Sequence, residues 1–142
     1  MTTVTGLDAC TTLAPDTAKV AATKDRLVTP AEAARLADLF RLLGDQTRAR
    51  LLYALLEAGE LCVCDLTAAV DVSDTAVSHA LRLMRTAGIV ASRRDGRMIY
   101  YRLADAHVRL LLDLSREHLR ETERADAAHR EEPAAAVLGE VR

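Results

Sequence analysis

Apolar residues recur at helical spacing along most of the chain and switch to strand-like spacing once. Thr29-Pro30-Ala31-Glu32 reads as a helix start, with threonine at the N-cap and proline at the first helical position. Leu36, Leu39, Phe40 and Leu43 then share one helical face until Gly44. Asp45 is placed to cap a second helix, in which Ala49, Leu52, Tyr53 and Leu56 repeat up to Gly59. A short third helix is expected from about Cys64 to Val70, followed by a turn at Asp71-Val72. Ser73 caps a fourth helix, 74–87, with Val77, Leu81 and Met84 turned inward and Gly88 as its stop. The period then changes. Residues 89–93 and 98–102 read as strands around the turn Arg94-Asp95-Gly96-Arg97, and a last helix is expected over 106–124. Residues 1–28 show no helical period and read as a flexible arm; 125–142 read as a flexible tail.

A short helix, a tight turn, a second helix with a polar outer face and then a basic hairpin is the order of a winged helix-turn-helix. The fold expected for residues 29–124 is therefore mainly α with a small β-hairpin. The fourth helix would lie in a major groove and offer Asp74, Thr75, Ser78, His79 and Arg82 to base edges. Arg82 and Arg85 are also placed for phosphates, and Arg93, Arg94 and Arg97 project from a hairpin that Gly96 lets turn sharply. Any one of these features alone reads more simply as solvated surface; their order along one chain decides for DNA. Asp71 stands where glycine is common in such turns, and aspartate tolerates the left-handed conformation.

Net charge is −2, which by itself argues against a nucleic-acid partner. The distribution reverses that argument: between residues 82 and 102 six arginines face one acid, whereas between 113 and 132 seven acids face four arginines. Half of the residues are apolar but only Phe40, Tyr53, Tyr100 and Tyr101 are aromatic, so the core is aliphatic and a dimer is expected to supply part of the stability. No apolar run reaches the roughly 18 residues of a membrane span, and the N-terminus lacks signal-peptide character. A cytoplasmic protein without a membrane partner is expected.

The last helix adds metal chemistry. His107 and His118 stand eleven residues apart, about 20° from one bearing, and Glu121 falls about 40° to the other side, with Leu111 and Leu114 on the same stripe. Eleven residues at ~1.5 Å rise separate the histidines by ~16 Å, too far for one ion. Two antiparallel copies solve this: Asp105 and His107 of one protomer would meet His118 and Glu121 of its partner, with a two-fold axis near Leu111 and Leu114. Two histidines and two carboxylates suit zinc. Cys62 and Cys64 form a second constellation at the start of the third helix, where the helix end favours thiolate. Cys10 on the arm is a candidate third sulfur. Such a site suits cadmium, lead or zinc.

Glu60-Leu61-Cys62-Val63-Cys64-Asp65-Leu66, Val77-Ser78-His79-x-Leu81, Gly96-Arg97-x-x-x-Tyr101, and Asp105-x-His107 with His118-x-x-Glu121 resemble the ArsR/SmtB metal-sensing repressors, most of all their cadmium/lead/zinc-responsive branch. The resemblance covers about residues 30–122. It implies a homodimer that holds operator DNA, represses efflux or sequestration genes and leaves DNA on binding metal. It also implies a thiolate site at Cys62 and Cys64 and a zinc site at Asp105, His107, His118 and Glu121. The arm departs from the pattern: that branch has two arm cysteines four residues apart, and here Ala14 stands where the second would fall. A three-sulfur site, or one completed by Asp8, Asp16 or Asp65, is expected instead. Ala80 departs as well, standing where relatives often carry a polar residue. Rival readings are a thiol-based redox repressor of the same fold and a metal-storage protein. A zinc hydrolase is disfavoured, because a closed four-ligand site leaves no position for water.

Overall fold

A helix that the apolar pattern does not announce comes first. The computed structural model describes residues 14–131, and α1 (Thr17–Arg26) lies inside the stretch expected to be an arm without helical structure. That expectation is corrected for these residues. The Asp16 carboxylate accepts the Lys19 N–H at 3.1 Å, Lys24 and Arg26 stand in the last turn, and no residue of the helix is buried. Caps and end charges make this helix, not an apolar stripe, which is why periodicity passes over it. The chain divides into two units, Met1–Asp38 and Leu39–Arg142, and the boundary falls within α2 (Pro30–Leu43). At the start of α2, Thr29 Oγ1 accepts the Glu32 N–H at 3.1 Å, the expected cap.

The second unit holds the core. α3 (Gln46–Ala58) starts where Asp45 Oδ2 accepts the Arg48 N–H at 2.9 Å, and it buries Leu51, Leu52, Leu55 and Leu56. The sequence pattern had marked Ala49, Leu52, Tyr53 and Leu56; the buried face is turned, because α3 is packed by α4, α5 and the sheet as well as α6. Tyr53 stays half-buried and donates its hydroxyl to the Leu112 carbonyl at 2.8 Å. α4 (Val63–Val70) and α5 (Asp74–Thr86) are joined through Asp71, whose φ of 55° and ψ of 50° put a non-glycine residue in the left-handed region. Ser73 Oγ accepts the Ala76 N–H at 3.3 Å to open α5.

Leu81, Met84, Val77, Leu55 and Leu66 have no exposed surface at all, and they form one cluster with Ile89, Val90, Tyr101, Leu103, Val108 and Leu112. Ala80, at 5% exposure, belongs to this core and not to the outer face of α5. Its small side chain answers to packing, so its departure from a polar residue says nothing about base recognition.

The hairpin expected near residues 89–102 is β2 (Val90–Asp95) and β3 (Met98–Leu103), with Gly96 at φ 61° in the turn. It belongs to a larger sheet. β1 (Glu60–Cys62), three residues too short to show alternation, adds to the other side of β3 in the order β1-β3-β2. Its register pairs Glu60 with Arg102, Leu61 with Tyr101 and Cys62 with Tyr100. α6 (Ala106–Glu131) runs seven residues beyond the expected end at 124, where Ala127 and Ala128 sustain helical propensity and His129 and Arg130 stand in the last turn. Arg116 reaches Glu57 at 3.0 Å and fastens α6 to α3.

Leu81→Ala is expected to lower unfolding free energy by about 2–5 kcal/mol, whereas Leu83→Ala, one face away, should stay within about 0.5 kcal/mol. Urea unfolding at a fixed protein concentration measures both.

Candidate nucleic-acid interface and metal donors

The burial of Val77, Ala80, Leu81 and Met84 fixes what α5 shows to solvent. Asp74, Thr75, His79, Arg82 and Arg85 are exposed and Ser78 is half-buried. All six sequence-predicted residues therefore lie on or beside one free face, next to the hairpin. Arg85 Nη1 donates to Ser92 Oγ at 3.4 Å, which links the end of α5 to β2. The face is rich in short donors and acceptors and rimmed by guanidinium groups, as major-groove recognition needs.

The three hairpin arginines do not behave alike. Arg94 and Arg97 are exposed on either side of the turn. Arg93 is engaged within the protein: its Nε lies 2.9 and 3.0 Å from the two Glu60 carboxylate oxygens, its Nη2 reaches Oε1 at 2.6 Å, and its guanidinium lies 4.6 Å from the centre of the Tyr100 ring. The expectation that Arg93 projects freely with the other two is revised accordingly. The hydrogen bonds from Arg93 hold the Glu60 carboxyl below its ordinary range, opposed next by desolvation and aided by the weaker charges of Arg93 and Arg102, and the same contact raises the Arg93 guanidinium in return. The sequence motif containing Glu60 gives it no role; its partner lies 33 positions further on, so no local pattern pairs them.

The metal donors are dispersed. Among the described residues no three His, Cys, Asp or Glu side chains of the protomer come together as an ion would need. Asp105 and His107 approach each other, with Nδ1 3.7 Å from Oδ1, and both are exposed. Asp105 also caps α6, since its Oδ1 accepts the Val108 N–H at 3.0 Å; the other carboxylate oxygen is not used by that cap. His118 and Glu121 are exposed further along the helix. Of the two leucines expected on this stripe, Leu114 is 60% exposed but Leu111 is half-buried, and Leu110, at 56% exposure, takes its place beside Leu114. Cys62 and Cys64 differ sharply in access: Cys62 is 4% exposed at the end of β1, and Cys64 is exposed on the first turn of α4. Cys10, with Asp8, lies outside the described residues.

Known proteins resemble this chain in sequence and fold. A profile described as "Bacterial regulatory protein, arsR family" matches residues 45–92, from the cap of α3 into β2. The transcriptional repressor SmtB homolog of Synechocystis sp. is 48% identical over 92 residues, covering 65% of this chain and 69% of that protein. The chain belongs to the ArsR family. The cadmium resistance transcriptional regulatory protein CadC homolog of Staphylococcus aureus is 41% identical over 86 residues, 61% of this chain and 71% of that one. The crystal structure of the AntR antimony-specific transcriptional repressor superposes with a TM-score of 0.64 at 39% identity, covering 82% of this chain and 99% of that chain.

As a member of the ArsR family, the chain is a DNA-binding transcriptional regulator and not an enzyme, and its α4–turn–α5 unit with the β2–β3 wing is the family's winged helix-turn-helix. Among the described residues no helix is long and apolar enough to cross a membrane.

The Glu60–Arg93 pair carries a pH dependence whose sign follows from the lowered Glu60 carboxyl. Its stabilisation is complete above the unfolded carboxylate range, near about 4.3, and is lost as pH falls through the lower folded-state value. Glu60→Gln is expected to unfold at only slightly lower urea than the wild type at neutral pH, as befits a partly exposed pair. The gap should close on acidification to about pH 3, in parallel urea titrations.

Proposed function

We propose that this ArsR-family regulator is a metal-responsive repressor that binds its operator as a homodimer and is released by zinc, cadmium or lead, so controlling metal resistance or efflux genes in the cytoplasm. The single observation that carries this reading is the exposed stripe on α6. Among the described residues, Asp105, His107, His118 and Glu121 all lie in solvent without a third ligand in the protomer, and Leu110 and Leu114 stand bare between them. Exposed leucines flanked by ligand-type side chains call for a second copy of the same helix, run antiparallel, which would cover the apolar centre and complete two identical four-donor sets.

The DNA side of the reading rests on Asp74, Thr75, Ser78, His79, Arg82 and Arg85 from α5 and on Arg94 and Arg97 from the wing. Arg93 contributes by holding the wing. A second donor set, Cys62 and Cys64 with Cys10 from the arm, suits softer ions. A divalent ion at either set would supply bonds that favour one relative orientation of the two protomers. Recognition helices held in that orientation no longer match successive turns of the groove, and affinity falls. The names of the relatives support a metal or metalloid signal: one is a cadmium resistance regulator and another an antimony-specific repressor.

Fluorescence anisotropy of the reduced, metal-free protein on its own promoter DNA, repeated with each ion, tests the proposal. Tight binding weakened on the order of 100-fold by at least one ion is expected, a coupling typical of allosteric proteins. His118→Ala should abolish the zinc response and Cys62→Ser with Cys64→Ser the cadmium and lead responses. Full responsiveness in both variants would overturn the sensing scheme. In the same assay Arg94→Ala with Arg97→Ala should weaken metal-free binding to all sequences and reduce the slope of log affinity against log salt by about 2.

A further inference from the structure

Cys62 and Cys64 sit two residues apart, yet one sulfur is sealed in and the other is open to solvent. Both can bind one ion only if the end of β1 moves, since the Cys62 sulfur is enclosed by the fold while Cys64 faces solvent. What resists that movement is visible in the sheet. Glu60 and Cys62, at i and i+2, lie on the same face of β1. The register sets Cys62 beside Tyr100, and Tyr100 beside Arg93, so a row Cys62–Tyr100–Arg93 crosses all three strands. Arg93 lies over the Tyr100 ring and grips Glu60 with a two-pronged hydrogen bond across the central strand. The next residue after Arg93 is Arg94, at the base of the wing turn.

We propose that the Glu60–Arg93 pair is a strut that ties the cysteine-bearing end of β1 to the wing, so that drawing the Cys62 sulfur outward displaces the wing and weakens DNA binding. Glu60 and Arg93 are thus positioning residues for the response, not ligands. The inference rests on the repressor reading for its DNA readout, but its mechanical part needs neither metal nor DNA. The pair is partly exposed, with 47% of the Arg93 side chain and 30% of the Glu60 side chain open to solvent. Pairs of that kind add little to global stability, so variants that break it retain the fold, and a bidentate, stacked geometry spanning three strands finds its use in transmission.

The test uses the full-length chain carrying Cys10→Ser and Cys64→Ser, which leaves Cys62 as the sole thiol. The metal-free protein is alkylated with iodoacetamide, first to measure the rate and then to measure operator affinity by anisotropy. Glu60→Ala is expected to raise the alkylation rate by about fivefold or more by freeing the strand end. Alkylation should cost about tenfold or more in DNA affinity when the strut is intact and less than about threefold when Glu60→Ala removes it. Arg93→Lys, which keeps the charge and loses the fork, should behave as Glu60→Ala does in the rate assay. An unchanged rate in both variants overturns the strut, and so does an equal loss of affinity, or none, with and without Glu60. A wild type that binds operator but ignores every metal overturns the sensing proposal alone and leaves these readouts standing.

Discussion

Everything this protein presents to DNA depends on the burial of one side of α5. Val77, Leu81 and Met84 are fully enclosed by α3, α4 and the sheet, and Ala80 is small enough to let the backbone approach. A helix locked by four inward residues over about two turns has no freedom to roll about its axis. Its outward residues are therefore placed by packing, with no contribution of their own to stability. That separation leaves the outward residues of α5, with Thr75 and His79 exposed and Ser78 half-buried, free to vary while the core stays constant.

The wing follows a different logic. Its two strands are held to the core by Val90, Tyr101 and Leu103, but the turn itself is exposed, and its outer half carries no buried residue. Direction comes from β1, a three-residue strand that would be trivial but for Glu60. The carboxylate holds Arg93 against Tyr100 and so ties the base of the wing to the segment that bears the cysteines. A surface ion pair contributes little to stability; this one joins the end of β1 to the base of the wing.

α6 is the element left most incomplete in a single protomer. Val108 and Leu112 seat its first turns on the core, and Tyr53 and Glu57 fasten it from α3. Among the described residues, nothing lies over the side that carries His107, Leu110, Leu114, His118 and Glu121. Apolar groups of that size in water disfavour the isolated state, and the alternation of leucine with ligand-type residues gives a second copy both a surface to bury and donors to share.

The sequence by itself determined the order of elements, the identity of the α4–turn–α5 unit and most of the candidate chemistry. These are local: a cap, a stop and a period of 3.6 or 2 are complete within a dozen residues, and Asp71 could be read as a left-handed residue from its side chain alone. It also marked the α6 stripe, because helical bearing is simple arithmetic. Tertiary structure alone decided what depends on distant partners. β1 forms because β3 offers it an edge, α1 stands on caps without a stripe, Ala80 turns inward by packing, and Cys62 and Cys64 part company at the strand–helix junction. Arg93 is the sharpest case: by sequence it is one of three equivalent wing arginines, and only the placement of β1 and β2 on either side of β3 brings it to Glu60, 33 positions away. Burial and ion pairing across such separations are properties of the folded surface, and no window on the chain contains both halves.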